Sequence, residues 1–409
     1  MSEIEIDTTR LINSLEKMGR IGKKPGSKGI TRLSLSIENK EARDLLVEWM
    51  SEADLEIKID PIGNIFGIRE GQNPELPIIA SGSHLDTVRN AGIYDGALGV
   101  LSALEVIRIL NERDIQTIHP LAVACFTNEE GARFQPDMMG SAVFSRVTEL
   151  EVALSRQDDN GVSVEEALED INYKGEDSVT IGKFIETHVE QGPYLYENGL
   201  DIGVVEGVQG IAWWHGEYVG EANHAGTTPI KYRKDSLLAC SELCCDLRKL
   251  AETHGKNSVT TMGRIEIEPD VINVIPERTR FTLDFRQYIE PDFKIGKKKV
   301  EELVRKIADK NGLKHSLEMV ADIEPVRFDS TMVDLVQKEA NKLELSNVRM
   351  PSGAGHDAGL ISHCCPSSMI FIPSVKGISH SPEEKTRNKD IENGANLLLR
   401  CILSLSKTR

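Results

Sequence analysis

The sequence has little that would mark a secreted, membrane-embedded or nucleic-acid-binding protein. Its longest apolar runs, such as Leu121 to Phe126, are far shorter than the roughly 20 residues of a membrane span, and MSEIEIDTTR lacks the features of a signal peptide. Acidic residues outnumber basic ones by 65 to 48, a net charge of −17 with no basic stripe. We therefore expect a cytoplasmic protein that binds neither nucleic acid nor membranes.

The cysteine pattern does not predict cross-linking or a thiolate metal site. The chain has seven cysteines, which is an odd number, and no CxxC pair. A disulfide framework and a structural zinc site built from thiolates are therefore not indicated. We expect reduced thiols that are mostly buried.

Alternating helical and strand patterns predict an α/β fold. An amphipathic helix over Asn39 to Ala53 precedes short β-rich runs, and then come the strand PIIASGSH, a helix over Ala97 to Asn111 and the strand LAVACF. This alternation is typical of a helix-covered mixed sheet. At 409 residues the chain is too long for one average domain.

The middle of the chain predicts a separate α+β unit. From residue 211 to residue 323 the pattern reads strand, helix, strand, strand, helix, strand, which is βαββαβ-like. Gly207 and Gly210 precede it and Pro325 follows it, as in a hinged lid. We therefore predict a catalytic domain over 1–210 and 324–409, interrupted by an inserted lid over 211–323.

Candidate metal ligands follow the apolar segments. His84 and Asp86 are two residues apart on a strand, so Asp86 can accept a hydrogen bond from the imidazole. Asp95 stands among glycines before a helix, which suggests close approach of the backbone to a ligand. Glu129 and Glu130 follow the strand LAVACF, so one carboxylate can face a metal while the other faces a substrate. An isolated pair of this kind would otherwise be an exposed acidic turn.

Two further histidines complete a set of nitrogen and oxygen donors. His188 ends a strand in THVEQGP, and His380 follows the strand SMIFIP in KGISHSPEE. Three His, one Asp and one Glu would suit zinc, manganese, cobalt or nickel. The sequence therefore predicts a metal-dependent hydrolase site.

Nine motifs, in order between about residue 80 and residue 385, resemble the zinc-dependent amidohydrolases of the hydantoinase/carbamoylase family. This family comprises N-carbamoyl-L-amino-acid hydrolases, allantoate amidohydrolases and some β-ureidopropionases. The motifs are GSHLDTV, YDGALGV, NEEGARF, HVEQGP, NHAGTTP, INVIPER, DFR, SGAGHDA and GISHSPEE. The resemblance implies an aminoacylase-like metallopeptidase fold whose inserted domain, 211–323, also forms a homodimer.

The resemblance also assigns roles at the metal site. It implies two divalent ions per subunit, zinc first, with manganese, cobalt or nickel as alternatives. Glu129 is implied as the general acid/base, and Asp95 as the ligand that bridges the ions. The implied metal ligands are His84, Asp95, Glu130, His188 and His380.

The other implied roles concern the substrate. His224 resembles a lid residue that donates a hydrogen bond to the oxyanion. Asn273 and Arg286 resemble the groups that hold the substrate carboxylate, a task that suits a guanidinium. Without the resemblance, a surface ion pair with Asp284 would be the simpler interpretation of Arg286. Further substrate-side residues are Gln209, Gly355 and His356.

The leading hypothesis is hydrolysis of the linear amide C–N bond of an N-carbamoyl-L-amino acid, which releases ammonia, carbon dioxide and the amino acid. INVIPER and the WW-containing strand favour this substrate, whereas HAGTTP, SGAGHD and IPSVKGISH favour allantoate. Further alternatives are an aminoacylase or dipeptidase, whose pattern has a carboxylate where His188 stands, and a non-catalytic metal-binding relative. The last should have lost Glu129 or a ligand, and the chain has all of them.

Overall fold

The computed structural model describes residues 4–255 and 257–407. The chain divides into two compact units. The first unit comprises the chain up to Gly207 together with the chain from Phe328 onward, and the second comprises Val208–Arg327. The predicted insertion, 211–323, lies within the second unit.

The elements are numbered in chain order. Up to residue 208 they are α1 (Thr8–Met18), α2 (Ile37–Glu52), β1 (Glu56–Ile59), β2 (Ile65–Arg69), β3 (Ile78–His84), α3 (Ala97–Glu112), β4 (Leu121–Phe126), α4 (Met139–Phe144), α5 (Leu150–Leu154), α6 (Val164–Asp170), β5 (Ile181–Val189), α7 (Tyr194–Asn198) and β6 (Ile202–Val208). From residue 210 they are β7 (Gly210–Val219), β8 (Asn223–His224), a 3₁₀ turn (Ile230–Tyr232), α8 (Ser236–Thr253), β9 (Val259–Glu268), β10 (Val274–Ile275), β11 (Arg278–Gln287), α9 (Glu290–Asn311), β12 (Lys314–Ile323) and β13 (Val326–Arg327). The chain continues with α10 (Ser330–Lys342), β14 (Asn347–Ser352), α11 (Asp357–Ile361), β15 (Ser367–Ile372), a second 3₁₀ turn (Val375–Gly377) and α12 (Asn388–Leu405).

The first unit is built on a mixed sheet, with strand order β1-β2-β4-β3-β5-β15-β6 and β14 also paired with β6. The four strands β4, β3, β5 and β15 are mutually parallel. β3, β4 and β15 are almost entirely buried, which is typical of parallel strands covered on both faces. The predicted α/β class with a helix-covered mixed sheet is confirmed.

The parallel strands bring their carboxyl ends to one edge of the sheet. His84 is the last residue of β3, and His188 is the next-to-last residue of β5. Glu129 follows β4, and His380 follows β15. Because ligands of open α/β sheets bind at this edge, the candidate residues belong to one region of the fold. No helix of the described residues is both long and apolar enough to cross a membrane.

Hydrogen bonds connect the segment before α2, around residues 30–32, to the loop that follows β3. Ile30 and Ala91 exchange two backbone hydrogen bonds, and the N–H of Thr87 donates to the carbonyl oxygen of Arg32. The buried guanidinium of Arg32 donates to the carbonyl oxygens of Leu85 (2.5 Å) and Met18 (3.1 Å). The loop that carries Asp86 and Asp95 is therefore held in place by residues about 55 positions earlier in the chain.

The second unit has its own sheet and core. Its four long strands have the order β12-β7-β11-β9 and are antiparallel throughout. α8 and α9 pack on this sheet, with large side chains such as Trp214, Tyr218 and Phe285 buried beneath them. α8 begins at Ser236, because the Asp235 side chain accepts hydrogen bonds from the N–H groups of Leu237 and Leu238 and caps the helix there.

Candidate active site

The first group of possible metal ligands consists of His84, Asp95 and His188, all of them buried. Nε2 of His188 lies 3.0 Å from Oδ1 of Asp95, and Nε2 of His84 lies 3.7 Å from the same oxygen. Nδ1 of His84 lies 2.9 Å from the carbonyl oxygen of Asp86, and Nδ1 of His188 lies 2.8 Å from that of Val189. In each ring Nδ1 is thus the donor, and Nε2 faces the Asp95 carboxylate.

The second group consists of Asp95, Glu130 and His380. Nε2 of His380 lies 3.1 Å from Oδ2 of Asp95 and 3.4 Å from Oε2 of Glu130. The two groups share Asp95, which presents Oδ1 to the first and Oδ2 to the second. His380 is half exposed while the other members are buried, so the second group lies on the solvent side.

The chemistry of these donors fits two divalent cations. Metal–nitrogen and metal–oxygen bonds of about 2.1 Å in a tetrahedral arrangement separate neighbouring donor atoms by about 3.4 Å. The distances of 3.0 to 3.7 Å between the histidine nitrogens and carboxylate oxygens bracket this value. Each group also supplies only nitrogen and oxygen donors.

The ionisation of Asp95 depends on its histidine neighbours. Burial acts to raise its pKa, but hydrogen bonds with His188 and His380 outweigh burial and hold that pKa well below its usual value. Burial likewise acts to lower the pKa of His188, yet the hydrogen bond with Asp95 raises it to about 9. The hydrogen bond with Asp95 also raises the pKa of His380 to about 9. Without a metal, positive imidazoles therefore offset the charge of Asp95.

Gly96 allows the backbone to approach these ligands. Its φ is +65°, and a Cβ atom there would lie 2.4 Å from the ring of His84. The first residue of α3 follows directly, and no side chain caps this helix. Asp95 is therefore free of a capping role, and the glycine beside it is explained by contact with the ring of His84.

Glu129 and Glu130 differ in their surroundings. Oε2 of Glu129 lies 3.3 Å from Nε2 of His84, whereas Oε1 of Glu130 accepts a hydrogen bond from the N–H of Val88. Burial, followed by the charge of Asp357 and other carboxylates, raises the pKa of Glu129 well above its usual value. Burial and Asp95 raise the pKa of Glu130 to about 8. The pair lies at the ligand cluster and is not an exposed acidic turn.

Asp86 contacts His84 through a different atom from the one predicted. The imidazole Nδ1 donates to the backbone carbonyl oxygen of Asp86, and the carboxylate lies 3.9 Å away. The carboxylate instead accepts hydrogen bonds from the N–H groups of Glu129 (3.3 Å) and Glu130 (3.2 Å). The prediction was wrong about the accepting atom, because the chain leaves β3 at His84 and the side chain turns toward the loop after β4.

His356 and Gly355 lie next to the first group. The ring of His356 packs against that of His188 with centroids 4.6 Å apart, and its buried Nε2 has no hydrogen-bond partner in the structure. Burial and the positive charge of His188 hold its pKa well below the usual value, so the imidazole is neutral. A Cβ atom at Gly355 would lie 2.8 Å from the side chain of Met138. An unpartnered buried nitrogen at this position could bind a polar group of a ligand.

Two residues that contact the cluster, Glu186 and Gln191, were not predicted from the sequence. Glu186 accepts hydrogen bonds from the hydroxyl of Ser83 (2.6 Å) and the N–H of Ala358 (2.8 Å), and it forms a third donor group with His188 and His356. It lies two residues before His188, so the period of two along β5 was a usable signal. The amide of Gln191 lies 3.0 Å from Oδ2 of Asp95, and no local pattern predicts this contact.

In the second unit the structure brings His224 and Asn273 together. β8 and β10 pair, and the N–H of Ala225 donates to the carbonyl oxygen of Asn273. Nδ1 of the exposed His224 accepts hydrogen bonds from the N–H groups of Gly226 (3.0 Å) and Thr227 (3.2 Å). The ring proton is therefore on Nε2, which is available as a donor.

Arg286 and Gln209 have partners within the second unit. Nε and Nη2 of Arg286 lie 3.0 to 3.2 Å from the carboxylate of Asp284, and both side chains are about a quarter exposed. The ion pair considered from the sequence is thus present, and a carboxylate-binding role for Arg286 stays a prediction. The amide of the buried Gln209 donates to the carbonyl oxygen of Asn257 (2.9 Å).

The chain is similar to known proteins over nearly its whole length. The model of peptidase family M20/M25/M40 matches residues 80–404. The chain is 36% identical over 414 residues to an N-carbamoyl-L-amino-acid amidohydrolase of Pseudomonas sp. (strain NS671), covering 98% of this chain and 99% of that protein. It is 33% identical to the allantoate amidohydrolase of Bacillus subtilis (strain 168), covering 92% and 93%. An amidase of the hydantoinase/carbamoylase family from Burkholderia multivorans has a solved structure with a TM-score of 0.97 and 38% identity, covering 99% of both chains.

Proposed function

The chain belongs to peptidase family M20/M25/M40, and on that premise we propose that it is a metal-dependent amidohydrolase that cleaves the linear amide C–N bond of a ureido acid. The substrate we propose is an N-carbamoyl-L-amino acid. One observation carries the proposal: two groups of nitrogen and oxygen donors share Asp95, and the buried carboxylate of Glu129 lies beside them. The similarity to named N-carbamoyl-L-amino-acid amidohydrolases supports the substrate.

Two divalent ions per subunit are the cofactors that this site suits, with zinc first and manganese, cobalt or nickel as alternatives. When bound, such ions supply Lewis-acid chemistry, since they lower the pKa of a water and polarise a carbonyl oxygen. The proposed ligands of one ion are His84, Asp95 and His188, and those of the other are Asp95, Glu130 and His380.

Glu129 is the proposed general acid/base. Its carboxylate lies 3.3 Å from Nε2 of His84 in the first donor group without being one of that group's three members, and burial raises its pKa well above the usual value, which strengthens it as a base. It would take the proton of the attacking water and deliver it to the leaving nitrogen. The C–N bond then breaks, ammonia leaves, and the carbamate that remains loses carbon dioxide to give the amino acid.

His224, Asn273 and Arg286 are the proposed substrate-binding groups of the second unit. The fixed Nε2–H of His224 suits a donor to a developing oxyanion. The guanidinium of Arg286 suits a substrate carboxylate, and its contact with Asp284 would hold it in a defined orientation. Gln209, Gly355 and His356 are proposed as further substrate contacts.

The test uses protein stripped with a chelator and then reloaded with zinc or manganese. Ammonia and free amino acid are measured with N-carbamoyl amino acids, allantoate, N-acetyl amino acids and dipeptides. We expect ammonia from an N-carbamoyl-L-amino acid, and only from the reloaded protein. Turnover of dipeptides without turnover of either ureido substrate would overturn the proposal.

Allantoate is the second candidate substrate. It is favoured by the similarity to the Bacillus subtilis enzyme and by the motifs HAGTTP, SGAGHD and IPSVKGISH. Allantoate also carries ureido groups and a carboxylate, so the same residues would serve. Ammonia release from allantoate alone in the assay above would select this substrate.

A homodimer formed through the second unit is a further part of the proposal. Several large apolar side chains of this unit are exposed, including Ile272, Ile230 and Tyr232. Such exposure is typical of an interaction surface. The molar mass in solution tests the homodimer, and a monomer at micromolar concentration would contradict it.

A cytoplasmic location is also part of the proposal. All seven cysteines are free thiols, which suits the reducing cytoplasm.

A further inference from the structure

Glu384 lies between two loops that carry proposed metal ligands. It follows His380 by four residues, and its partners are in the loop before α3, about 290 positions earlier in the chain. The residue is only 7% exposed although it carries a carboxylate. A buried carboxylate of this kind requires hydrogen-bond partners.

One oxygen of this carboxylate binds the backbone of the bridging residue. Oε2 of Glu384 accepts hydrogen bonds from the N–H of Tyr94 (3.0 Å) and the N–H of Asp95 (3.3 Å). A Cβ atom at Gly92 would lie 2.2 Å from the same oxygen. The loop therefore approaches the carboxylate so closely that a side chain at residue 92 is excluded.

The other oxygen connects to the ligand side chains. Oε1 of Glu384 accepts a hydrogen bond from the hydroxyl of Ser379 (2.9 Å), and this hydroxyl lies 3.3 Å from Oδ2 of Asp95. Oδ2 is the oxygen that Asp95 presents to His380. One carboxylate thus contacts the backbone of Asp95 and the residue that precedes His380.

We propose that Glu384 is a positioning residue, which fixes the Asp95 loop against the His380 loop and so sets the geometry of the second donor group. The proposal rests on the proposed function, because it assumes that this group binds a metal ion. Glu384 does not contact the first group's histidines through any of these bonds. Asp95 belongs to both groups, but only the second includes His380. Glu384 also holds the His380 loop through Ser379, so its loss should weaken the ion of the second group more than that of the first.

The test compares Glu384→Ala with Glu383→Ala, since Glu383 is the exposed neighbour whose side chain pairs with the exposed Lys28 on the surface. Metal content is measured after dialysis against a metal buffer, and each affinity is obtained by competition with a chromophoric chelator. We expect wild type and Glu383→Ala to bind two ions. Glu384→Ala should keep one ion and bind the other about 10- to 100-fold more weakly. Added metal should restore most of the lost turnover.

The outcomes separate this inference from the proposed function. If wild type does not bind two ions, the proposed function itself fails. If wild type binds two ions and Glu384→Ala binds both with unchanged affinity, the positioning role is wrong. Equal weakening of both ions, with a lower melting temperature of the metal-free protein, would indicate a merely structural role and also overturn it.

Two milder variants cover the case in which Glu384→Ala does not fold. Glu384→Gln keeps an oxygen for the N–H groups of Tyr94 and Asp95 but reverses the bond to Ser379. Ser379→Ala removes the hydroxyl that connects Glu384 to Asp95. Each should weaken the second ion by a few-fold, and wild-type affinity in both would contradict the inference.

Discussion

Glu129 and Glu130 are adjacent residues to which the structure gives different neighbours. Glu129 faces His84, whereas Glu130 faces His380 and is held by the N–H of Val88. The two residues lie in a bend after β4, directly after Asn128, whose φ is +57°. Their surroundings therefore suit the two proposed roles, proton transfer for Glu129 and metal binding for Glu130.

Replacing Glu129 with Gln tests this division. The amide has nearly the same shape but cannot accept a proton at neutral pH, so turnover should fall about 10²- to 10⁴-fold. Metal content measured on the same sample should remain two ions per chain. Loss of metal together with turnover would show that Glu129 is a ligand.

Replacing Arg286 with Ala tests recognition of the substrate carboxylate. Loss of a charge-assisted bond of about 1.5–3 kcal/mol should lower kcat/KM about 10- to 100-fold. The loss should be confined to substrates with a free carboxylate. Equal losses for the corresponding substrate amides would mean that Arg286 has a structural role, as in its ion pair with Asp284.

At the scale of elements, the backbones of β3 and β4 approach so closely that position 82 of β3 requires a glycine. A Cβ atom at Gly82 would lie 1.8 Å from the carbonyl oxygen of Ala124. Gly82→Ala should lower the free energy of unfolding by about 3 kcal/mol, at the upper end for overpacking. Chemical denaturation measures this change. Gly263→Ala is the control, because its nearest neighbour atom would be 3.6 Å away, and a similar loss there would contradict the explanation.

The segment before α2 supports the loop after β3 mainly through Arg32. Burial lowers the pKa of this guanidinium to about 10, so it is still charged at neutral pH. Arg32→Met would leave the carbonyl oxygens of Leu85 and Met18 without their donor. We expect a loss of about 3 kcal/mol in denaturant unfolding. The exposed Arg20 gives the control Arg20→Met, and equal stability of the two variants would refute the role of Arg32.

The elements show which parts of the fold and site were predictable. The strand and helix patterns located β3, α3, β4 and the six long elements of the inserted unit, because apolar periodicity reports burial directly. The same patterns missed the two-residue strands β8 and β10, which are too short to carry a period. Contacts between distant loops, such as Glu384 with Asp95 and Arg32 with Leu85, have no local signal.

At the scale of the whole molecule, the ligand cluster couples pH to stability. In the metal-free protein the folded state holds protons on Glu130 (pKa about 8) and on His188 and His380 (about 9) more strongly than the usual values of 4.5 and 6.5 allow. The unfolded chain releases these protons first as pH rises. The free energy of unfolding must then decrease with pH, most clearly between about 6.5 and 8, where all three groups contribute.

Metal loading should remove this decrease, because bound ions take the place of the protons. We expect the melting temperature of chelator-treated protein to fall between pH 6.5 and 9, while that of zinc-loaded protein changes much less. The difference in melting temperature between zinc-loaded and chelator-treated protein should therefore increase with pH. Parallel curves would mean that these groups do not bind the ions.

The two donor groups that share Asp95 are completed at different times during synthesis on the ribosome. His84, Asp95 and His188 have all been made before the second unit is translated, whereas His380 follows that unit by more than fifty residues. A nascent chain thus possesses the donors of one cation position long before those of the other. The proposed ligands of one ion would accordingly be complete before those of the other have been synthesised.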